Sequence, residues 1–126
     1  MKIFYLSTCN TCKRILNEIE IPKNSILQDV KKQNISKEEL KTLKEISGSY
    51  ESLFNRRSVK YREKGLNKIE MSENDYKENI LAEYTMLKRP IFLFKDIAFI
   101  GNSKKTINEL KKYISQTQHS IKEPDH

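Results

Sequence analysis

Short apolar runs and helically spaced apolar residues alternate along the first thirty positions of the chain. The run from Lys2 to Leu6 contains large apolar residues and predicts a buried strand. After a polar loop from Ser7 to Thr11, apolar residues recur at helical spacing from Arg14 to Ile21. Pro22 should end this helix, because proline lacks an amide hydrogen and clashes with the preceding turn. A second strand from Ser25 to Val30 would complete a strand–helix–strand unit, which normally closes as a right-handed parallel crossover.

The middle of the chain carries the start and stop signals of helices. Ser36 and Glu39 have the spacing of a capping box ahead of an apolar face, and Gly48 marks the end of that helix. A second serine–acid pair, beginning at Ser72, opens a helix that we expect to run to about Leu87. Shorter helical pieces are predicted between these two helices, at Tyr50–Phe54 and Ser58–Lys64.

Two short apolar runs in the last third of the chain predict a β-hairpin. Ile91–Phe94 and Ile97–Ile100 are separated by only two residues, so the two strands should pair in an antiparallel manner. A last helix is predicted from Ser103. The polar segment 116–126 contains a proline and is predicted to be a disordered tail.

The predicted order of elements is strand, helix, strand, several helices, hairpin and helix. Two parallel strands, an antiparallel hairpin and flanking helices make up a thioredoxin-like α/β fold with a four-stranded mixed sheet. The helices between Ser36 and Leu87 would be an insertion between the second strand and the C-terminal hairpin. We expect residues 1–115 to form a single domain.

Composition and charge narrow the classes of function. The longest apolar run has four residues, far fewer than the roughly 20 of a membrane-spanning helix. The N-terminus becomes polar within seven residues, which predicts a cytoplasmic protein, and we expect a monomer. The formal net charge of +7 favours anionic partners. Most basic residues are scattered among acidic ones, so neither direct nucleic-acid binding nor membrane binding is expected.

Cys9 and Cys12 are the only cysteines and have the spacing of a redox motif that follows a strand and opens a helix. Residues three apart lie one helical turn from each other, so the two sulfur atoms can meet. Free backbone amides and the helix dipole would stabilise a thiolate on the first cysteine. The second cysteine, one turn further in, is more sheltered and suited to attack a mixed disulfide.

Three other interpretations of the cysteine pair are open. A zinc site needs about four ligands, and only His119 and His126 could join the cysteines, so no metal is expected. A structural disulfide is disfavoured in a cytoplasmic chain and would close only a very short loop. Two unreactive thiols are possible, but their position between a strand and a helix favours redox chemistry.

The chain resembles the arsenate reductase-like ArsC/Spx/YffB family of thioredoxin-fold proteins. Four segments carry the resemblance, in the same order along the chain: Cys9–Cys12, 53–57 with 61–66, 87–91 and 100–102. The resemblance implies that Cys9 is the nucleophile and that Arg89 lies beside it and stabilises its thiolate or a bound anion. Pro90 would be a cis-proline facing the cysteine loop. It also implies that substrate or anion binding involves Thr8, Asn10, Thr11, Arg57 and Pro90.

This sequence departs from the glutathione-dependent arsenate reductases of that family at three positions. Asn55 and Asn102 stand where an ungapped match places two of their three anion-binding arginines. Loss of these guanidinium groups weakens bidentate binding of arsenate. Those reductases usually have serine at the position of Cys12. With a cysteine there, an internal disulfide can form.

The resemblance leaves an enzyme and a regulator as competing functions. In the enzyme, Cys9 attacks arsenate or a disulfide, and Cys12 resolves the intermediate. No tightly bound cofactor is expected; glutathione, glutaredoxin or thioredoxin would be the external reductant, so the partner is a small thiol or redox protein. An Spx-like regulator would instead bind the RNA polymerase alpha subunit and switch through a Cys9–Cys12 disulfide. A thiol-transfer role, as in YffB-like proteins, is a third possibility.

Overall fold

A computed structural model describes residues 1–122, with side chains through residue 117, and shows four strands and five α-helices in that part of the chain. The strands are β1 Lys2–Tyr5, β2 Ile26–Asp29, β3 Ile91–Leu93 and β4 Ala98–Ile100. The helices are α1 Asn10–Glu18, α2 Lys37–Ser47, α3 Val59–Glu63, α4 Glu73–Ala82 and α5 Lys104–Lys122. Short 3-10 turns occupy Glu51–Leu53, Leu66–Lys68 and Tyr84–Met86.

The strands form one mixed sheet in the order β2-β1-β3-β4. β1 pairs in parallel with β2, as the crossover through α1 requires, whereas β3 is antiparallel to both β1 and β4. The hairpin register places Ile91 opposite Ile100 and leaves a two-residue connection at Lys95 and Asp96. The predicted four-stranded sheet, the hairpin and the helical insertion after β2 are therefore confirmed.

Alternate residues of the central strands face opposite sides of the sheet, because side chains alternate with a period of two. Ile3 and Phe92 pack on the side covered by α1 and α5. Phe4 and Ile91 face the larger core formed with α2 and α4. All four side chains are fully buried. Both layers of helices are thus anchored on β1 and β3, whose ends also carry the segments that approach the cysteines.

Helix α1 differs from its predicted position at both ends. It begins at Asn10 rather than Arg14, since the polar residues of the cysteine motif form its first turn. It ends at Glu18, and Ile19 is extended with φ −101° and ψ 153°. The ring of Pro22 would meet the carbonyl group of Glu18 in a continued helix, so the helix stops a full turn before the proline.

The helix predicted from Ser72 to Leu87 is shorter than expected. The capping boxes of Ser36 and Ser72 are both present, but α4 ends at Ala82. Glu83 is extended, and its carboxylate accepts a hydrogen bond from the Thr85 backbone N–H, which starts a separate 3-10 turn. The chain then leaves the helix axis and pairs with the segment after α2 through a bridge between Leu87 and Phe54.

Helix α5 extends beyond residue 115, where the sequence analysis placed the start of a disordered tail. It continues to Lys122, because no glycine or proline interrupts the chain before Pro124. Residues 123–126 of the predicted tail lie outside the described residues, and so do the side chains of His119 and His126. Across residues 1–122, no helix combines the length and the apolar character needed to cross a membrane.

Candidate active site

Cys9 lies at the junction between β1 and α1. Its backbone N–H donates to the Leu6 carbonyl at 3.0 Å, which closes the turn after β1. Its own carbonyl accepts the first helical hydrogen bond from the Lys13 N–H at 3.1 Å, so Cys9 is the N-cap of α1. Cys9 is half-buried, whereas Cys12, one turn later, is completely buried; both are free thiols. The strand–helix junction therefore exposes one sulfur and shelters the other.

The surroundings of Cys9 favour its thiolate. Burial by itself would raise the pKa of the thiol. Hydrogen bonding from the Cys12 N–H and thiol, the charge of Arg89 and the Thr11 N–H act in the opposite direction and prevail. The pKa of Cys9 is therefore lower than its ordinary value, as expected for a sulfur at the positive end of a helix dipole.

Cys12 has the opposite character. Burial raises the pKa of this thiol to about 11, and its hydrogen bond to Cys9 adds to the effect. A hydrogen bond from the Leu6 backbone and the charge of Arg89 oppose the rise but do not reverse it. At neutral pH the Cys12 thiol thus keeps its proton and donates a hydrogen bond to the Cys9 sulfur. The pair consists of one activated nucleophile and one protected thiol.

A cleft of about 550 Å³ opens in front of Cys9. Three other segments line it: residues 54–57 after α2, residues 88–89 before β3 and residues 100–103 between β4 and α5. Four of the described lining residues are basic and none is acidic: Arg56, Arg57, Lys88 and Arg89. The cleft is therefore an electropositive site of the size of a small anionic ligand.

The two adjacent arginines in segment 54–57 are held differently. Arg56 donates to the Glu51 carboxylate at 2.7 Å and to the Tyr76 hydroxyl at 2.8 Å. Its charge is thus paired with a protein carboxylate. Arg57 is exposed and has no ion-pair partner among the residues with described side chains. Arg57, the anion-binding residue named from sequence, is the arginine of this pair whose charge is available to a ligand.

Arg89 is fixed by backbone carbonyl groups. Its Nη1 donates to the carbonyl oxygen atoms of Thr85 at 3.1 Å and Leu87 at 3.2 Å. Its Nε is buried and has no hydrogen-bond partner in the described part of the chain. The Arg89–Pro90 peptide bond is cis, as predicted, and the Pro90 carbonyl accepts from the Gly101 N–H at 2.9 Å. These contacts join the segments before β3 and after β4.

The other binding residues predicted from the sequence lie next to Cys9 or in the core, and their side chains do not line the cleft. Thr8 and Asn10 flank Cys9 and are exposed, whereas Thr11 is half-buried and contributes its backbone N–H. The cleft lining does not include these three side chains or Pro90, which is buried.

Asn55 and Asn102, at the positions of the missing arginines, both line the cleft. Lys88 and Ser103 also line the cleft, although neither was among the site residues predicted from the sequence. Lys88 lies within the family-like segment 87–91, which could have signalled it, whereas Ser103 carried only the signal of a helix cap.

The described residues contain no group of three or more histidine, cysteine or acidic side chains that could hold a metal ion. The described lining of the cleft offers the Cys9 thiol and four basic side chains. A nucleophilic sulfur at a helix N-terminus is suited to attack an anionic substrate or a disulfide. The arginines that face it can stabilise negative charge on the substrate or on its leaving group.

Comparisons with solved structures show where this fold recurs. The YFFB protein matches with a TM-score of 0.72 at 21% identity, covering 87% of this chain and 97% of that one. An arsenate reductase from Vibrio cholerae matches with a TM-score of 0.72 at 20% identity, covering 86% and 97%. A protein from Staphylococcus aureus COL has 26% identity and a TM-score of 0.67, covering 86% and 95%.

These similarities establish the thioredoxin-like fold. No curated protein sequence matches the chain significantly. The ArsC family model, however, matches residues 4–110, which include the cysteine motif, the helical insertion, the Arg89–Pro90 segment and the hairpin. On that match, the chain belongs to the ArsC family.

Proposed function

We propose that this protein is a thiol-dependent reductase in which Cys9 is the nucleophile and Cys12 the resolving thiol. The observation that carries the proposal is the half-buried Cys9 sulfur, with a lowered pKa, at the start of α1 in a cleft lined by basic residues. Membership of the ArsC family supports the same class of reaction. The substrate is an oxyanion such as arsenate, or a disulfide.

For a disulfide substrate, the Cys9 thiolate attacks one sulfur atom. A Cys9–substrate bond forms, the substrate S–S bond breaks, and the second substrate sulfur leaves as a thiolate. Cys12 then loses its proton and attacks the Cys9 sulfur, which releases the first substrate sulfur. The substrate gains two electrons, and the protein retains a Cys9–Cys12 disulfide.

For arsenate, the Cys9 thiolate attacks arsenic, and one oxygen leaves as water after protonation. Cys12 then attacks the Cys9 sulfur, the sulfur–arsenic bond breaks, and its electron pair leaves with arsenic as arsenite. In both reactions, bond formation at Cys9 removes the negative charge that helps to raise the pKa of Cys12. The resolving thiol is thus deprotonated more easily after the first step than before it.

Arg57, Lys88 and Arg89 would attract and orient an anionic substrate. The buried Nε of Arg89 is a donor that an entering anion could satisfy. Two thiols of glutathione, glutaredoxin or thioredoxin would reduce the Cys9–Cys12 disulfide and complete the cycle. The oxidised product is then the disulfide of that external reductant.

The test follows NADPH oxidation by the purified protein with glutathione, glutaredoxin and glutathione reductase. Arsenate and hydroxyethyl disulfide are offered in separate reactions, and Cys9→Ser is the control variant. Glutathione and glutaredoxin reduce hydroxyethyl disulfide by themselves, so the rate without the protein is subtracted from each reaction. Oxidation that depends on one substrate and disappears in Cys9→Ser would support the reductase and identify its substrate class. Turnover of neither substrate, with Cys9 still reactive toward iodoacetamide and thioredoxin also tried as donor, would reject it.

An Spx-like regulator is the alternative that uses the same cysteine pair. It would bind the RNA polymerase alpha subunit in only one redox state of Cys9 and Cys12. A pull-down with the alpha C-terminal domain, using reduced and oxidised protein, separates the two functions. Binding that depends on redox state, without turnover of either substrate, would replace the reductase proposal.

A further inference from the structure

Asn55 and Arg89 donate to the same acceptor, the carbonyl oxygen of Thr85. The Asn55 Nδ2 lies 3.1 Å from this oxygen, and the Arg89 Nη1 also lies 3.1 Å from it. Thr85 is in the 3-10 turn between α4 and β3, thirty residues after Asn55. One backbone carbonyl thus links the two segments that supply arginines to the cleft.

The remaining polar groups of Asn55 are also engaged. Its Oδ1 accepts from the Arg57 backbone N–H at 3.1 Å, and its backbone N–H donates to the Met86 carbonyl at 2.7 Å. This orientation of the amide pairs its NH₂ with a carbonyl and its oxygen with an N–H, which the reverse orientation would not do. Asn55 lines the cleft, and both ends of its amide hold protein groups.

Arg89 depends on fixed acceptors for its orientation. An arginine side chain has many rotamers, and its effect on a neighbouring charge falls with distance. The acceptors that fix Arg89 are the carbonyl groups of Thr85 and Leu87. A second donor on the Thr85 carbonyl holds that acceptor in place, because it ties the 3-10 turn to the segment after α2.

We propose that Asn55 is a positioning residue, which holds the Arg89 guanidinium beside Cys9 through the Thr85 carbonyl and holds the Arg57 turn through its own side-chain oxygen. The role in catalysis rests on the proposed function, whereas the role in Cys9 reactivity does not. Asn55 would thus stabilise the thiolate without touching it. The position matched to a missing anion-binding arginine would organise the arginines that remain.

The test measures the rate of iodoacetamide alkylation of Cys9 as a function of pH. This measurement does not require turnover, so failure of the inference and failure of the proposed reductase can be distinguished. Asn55→Ala removes both side-chain hydrogen bonds and adds no charge. Asn55→Asp has nearly the same shape and can still accept from Arg57, but it cannot donate to the Thr85 carbonyl. Asn102→Ala is the matched control, because Asn102 lines the same cleft and its side chain makes no hydrogen bond within residues 1–117.

We expect Asn55→Ala to lower the alkylation rate at pH 6 about threefold while the rate at the alkaline plateau is unchanged, because a displaced arginine stabilises the thiolate less. Asn55→Asp should lower the rate at pH 6 at least as much, because it loses the same donor and also adds a negative charge to the cleft. Asn102→Ala should leave the pH profile unchanged. The other charged or titratable groups around the Cys9 sulfur are Cys12, Arg56, Arg57 and Lys88, and all stay the same in these variants.

A double-mutant cycle with Arg89→Gln tests whether Asn55 acts through Arg89. If it does, Asn55→Ala will shift the pH profile in the native background but not in the Arg89→Gln background. An equal shift in both backgrounds, or no shift in the native one, would overturn the proposal. Circular dichroism and thermal unfolding identify any variant that has lost its fold. Asn55→Asp, which keeps the side-chain volume, then provides the comparison with native protein.

Discussion

The two sides of the cleft differ in how their residues come together. On the thiol side, Cys9 and Cys12 are three residues apart in one helical turn. The backbone groups that shift their pKa values belong to Leu6, Thr11 and Cys12, all within six residues of the thiol they act on. On the cation side, Arg57 and Arg89 are 32 positions apart. Their segments are joined by the bridge between Phe54 and Leu87 and by hydrogen bonds from Asn55. The thiol side is therefore formed by residues close together in sequence, whereas the cation side is formed by segments that are distant in sequence.

This difference has consequences for each side. The thiol side needs only β1 and the first turn of α1 to form, since helix geometry alone brings the sulfurs together. The cation side needs the whole insertion to fold, because the segment that carries Arg57 must reach the segment that carries Arg89 through the Phe54–Leu87 bridge and the Asn55–Thr85 hydrogen bond. We expect a change on the thiol side to affect the chemical step and a change on the cation side to affect the strength of binding and activation.

The largest effect should come from removing the nucleophile. Cys9→Ser should reduce turnover more than about 100-fold, because no other described thiol faces the cleft and a serine is hardly ionised at neutral pH. Arg89→Gln should reduce kcat/KM by only about 10- to 100-fold, because it removes a stabilising charge and leaves the sulfur. The NADPH-coupled assay measures both. Equal losses of kcat/KM in the two variants would contradict the expectation that the thiol side controls the chemical step and the cation side controls binding and activation.

Two variants of Cys12 separate its role as resolving thiol from its role as hydrogen-bond donor to Cys9. Cys12→Ser and Cys12→Ala both lose the resolving thiol, so a mixed disulfide on Cys9 should accumulate and be visible by intact-protein mass. Cys12→Ser keeps a hydrogen-bond donor to Cys9, whereas Cys12→Ala does not. Only Cys12→Ala should raise the pKa of Cys9, with a several-fold slower alkylation at pH 6. An equal pH profile in both variants would show that this hydrogen bond has no effect.

The adjacent arginines provide a matched pair on the cation side. Arg57→Gln should raise KM for an anionic substrate about three- to tenfold and leave kcat nearly unchanged, because the free charge acts mainly in binding. Arg56→Gln should raise it less, because Arg56 already pairs with Glu51 at 2.7 Å. Steady-state kinetics at low and high salt check both. A larger effect of Arg56→Gln would reverse the assignment made from their contacts.

The smallest effect concerns stability at alkaline pH. The pKa of Cys12 is about 11 in the folded protein and near 9.0 in the unfolded chain. Between these values the unfolded chain loses its proton first, so the free energy of unfolding should fall by about 1–2 kcal/mol as pH rises from 9 to 11. Urea unfolding at several pH values measures this. In Cys12→Ala the decline should be smaller by that amount; an identical decline would contradict the raised pKa.

Several features of the fold could be predicted because their causes lie within a few residues. The capping boxes at Ser36 and Ser72 form as their spacing indicates, and the hairpin has the predicted two-residue connection. Helix ends were predicted less well. α4 stops at Ala82 because Glu83 caps a new turn and Leu87 pairs with Phe54, and the second of these partners is far away in sequence.

The candidate site divides in the same way. Cys9 and Cys12 could be named from their spacing, and Arg89 and Pro90 from a family resemblance. The separate roles of Arg56 and Arg57 could not, since one ion pair with Glu51 decides them. The contacts of Asn55 could not be predicted either. In the sequence, Asn55 is only a position where an arginine is missing, but in the structure its amide donates to the Thr85 carbonyl.

The sequence by itself determined the order of strands and helices and the position of the redox pair, because short-range spacing sets periodicity, capping and the distance between residues one turn apart. The tertiary structure alone decided which cations are free, which carbonyl groups orient Arg89 and how large the cleft is. The contacts of Arg56 with Glu51 and of Arg89 with Thr85 join residues only five and four positions apart, but no spacing pattern predicts them. The shape of the cleft depends on contacts between residues about thirty or more positions apart, such as the Phe54–Leu87 bridge and the Asn55–Thr85 hydrogen bond. Such contacts form only when the whole sheet and its insertion close, and no local pattern in the chain encodes their geometry.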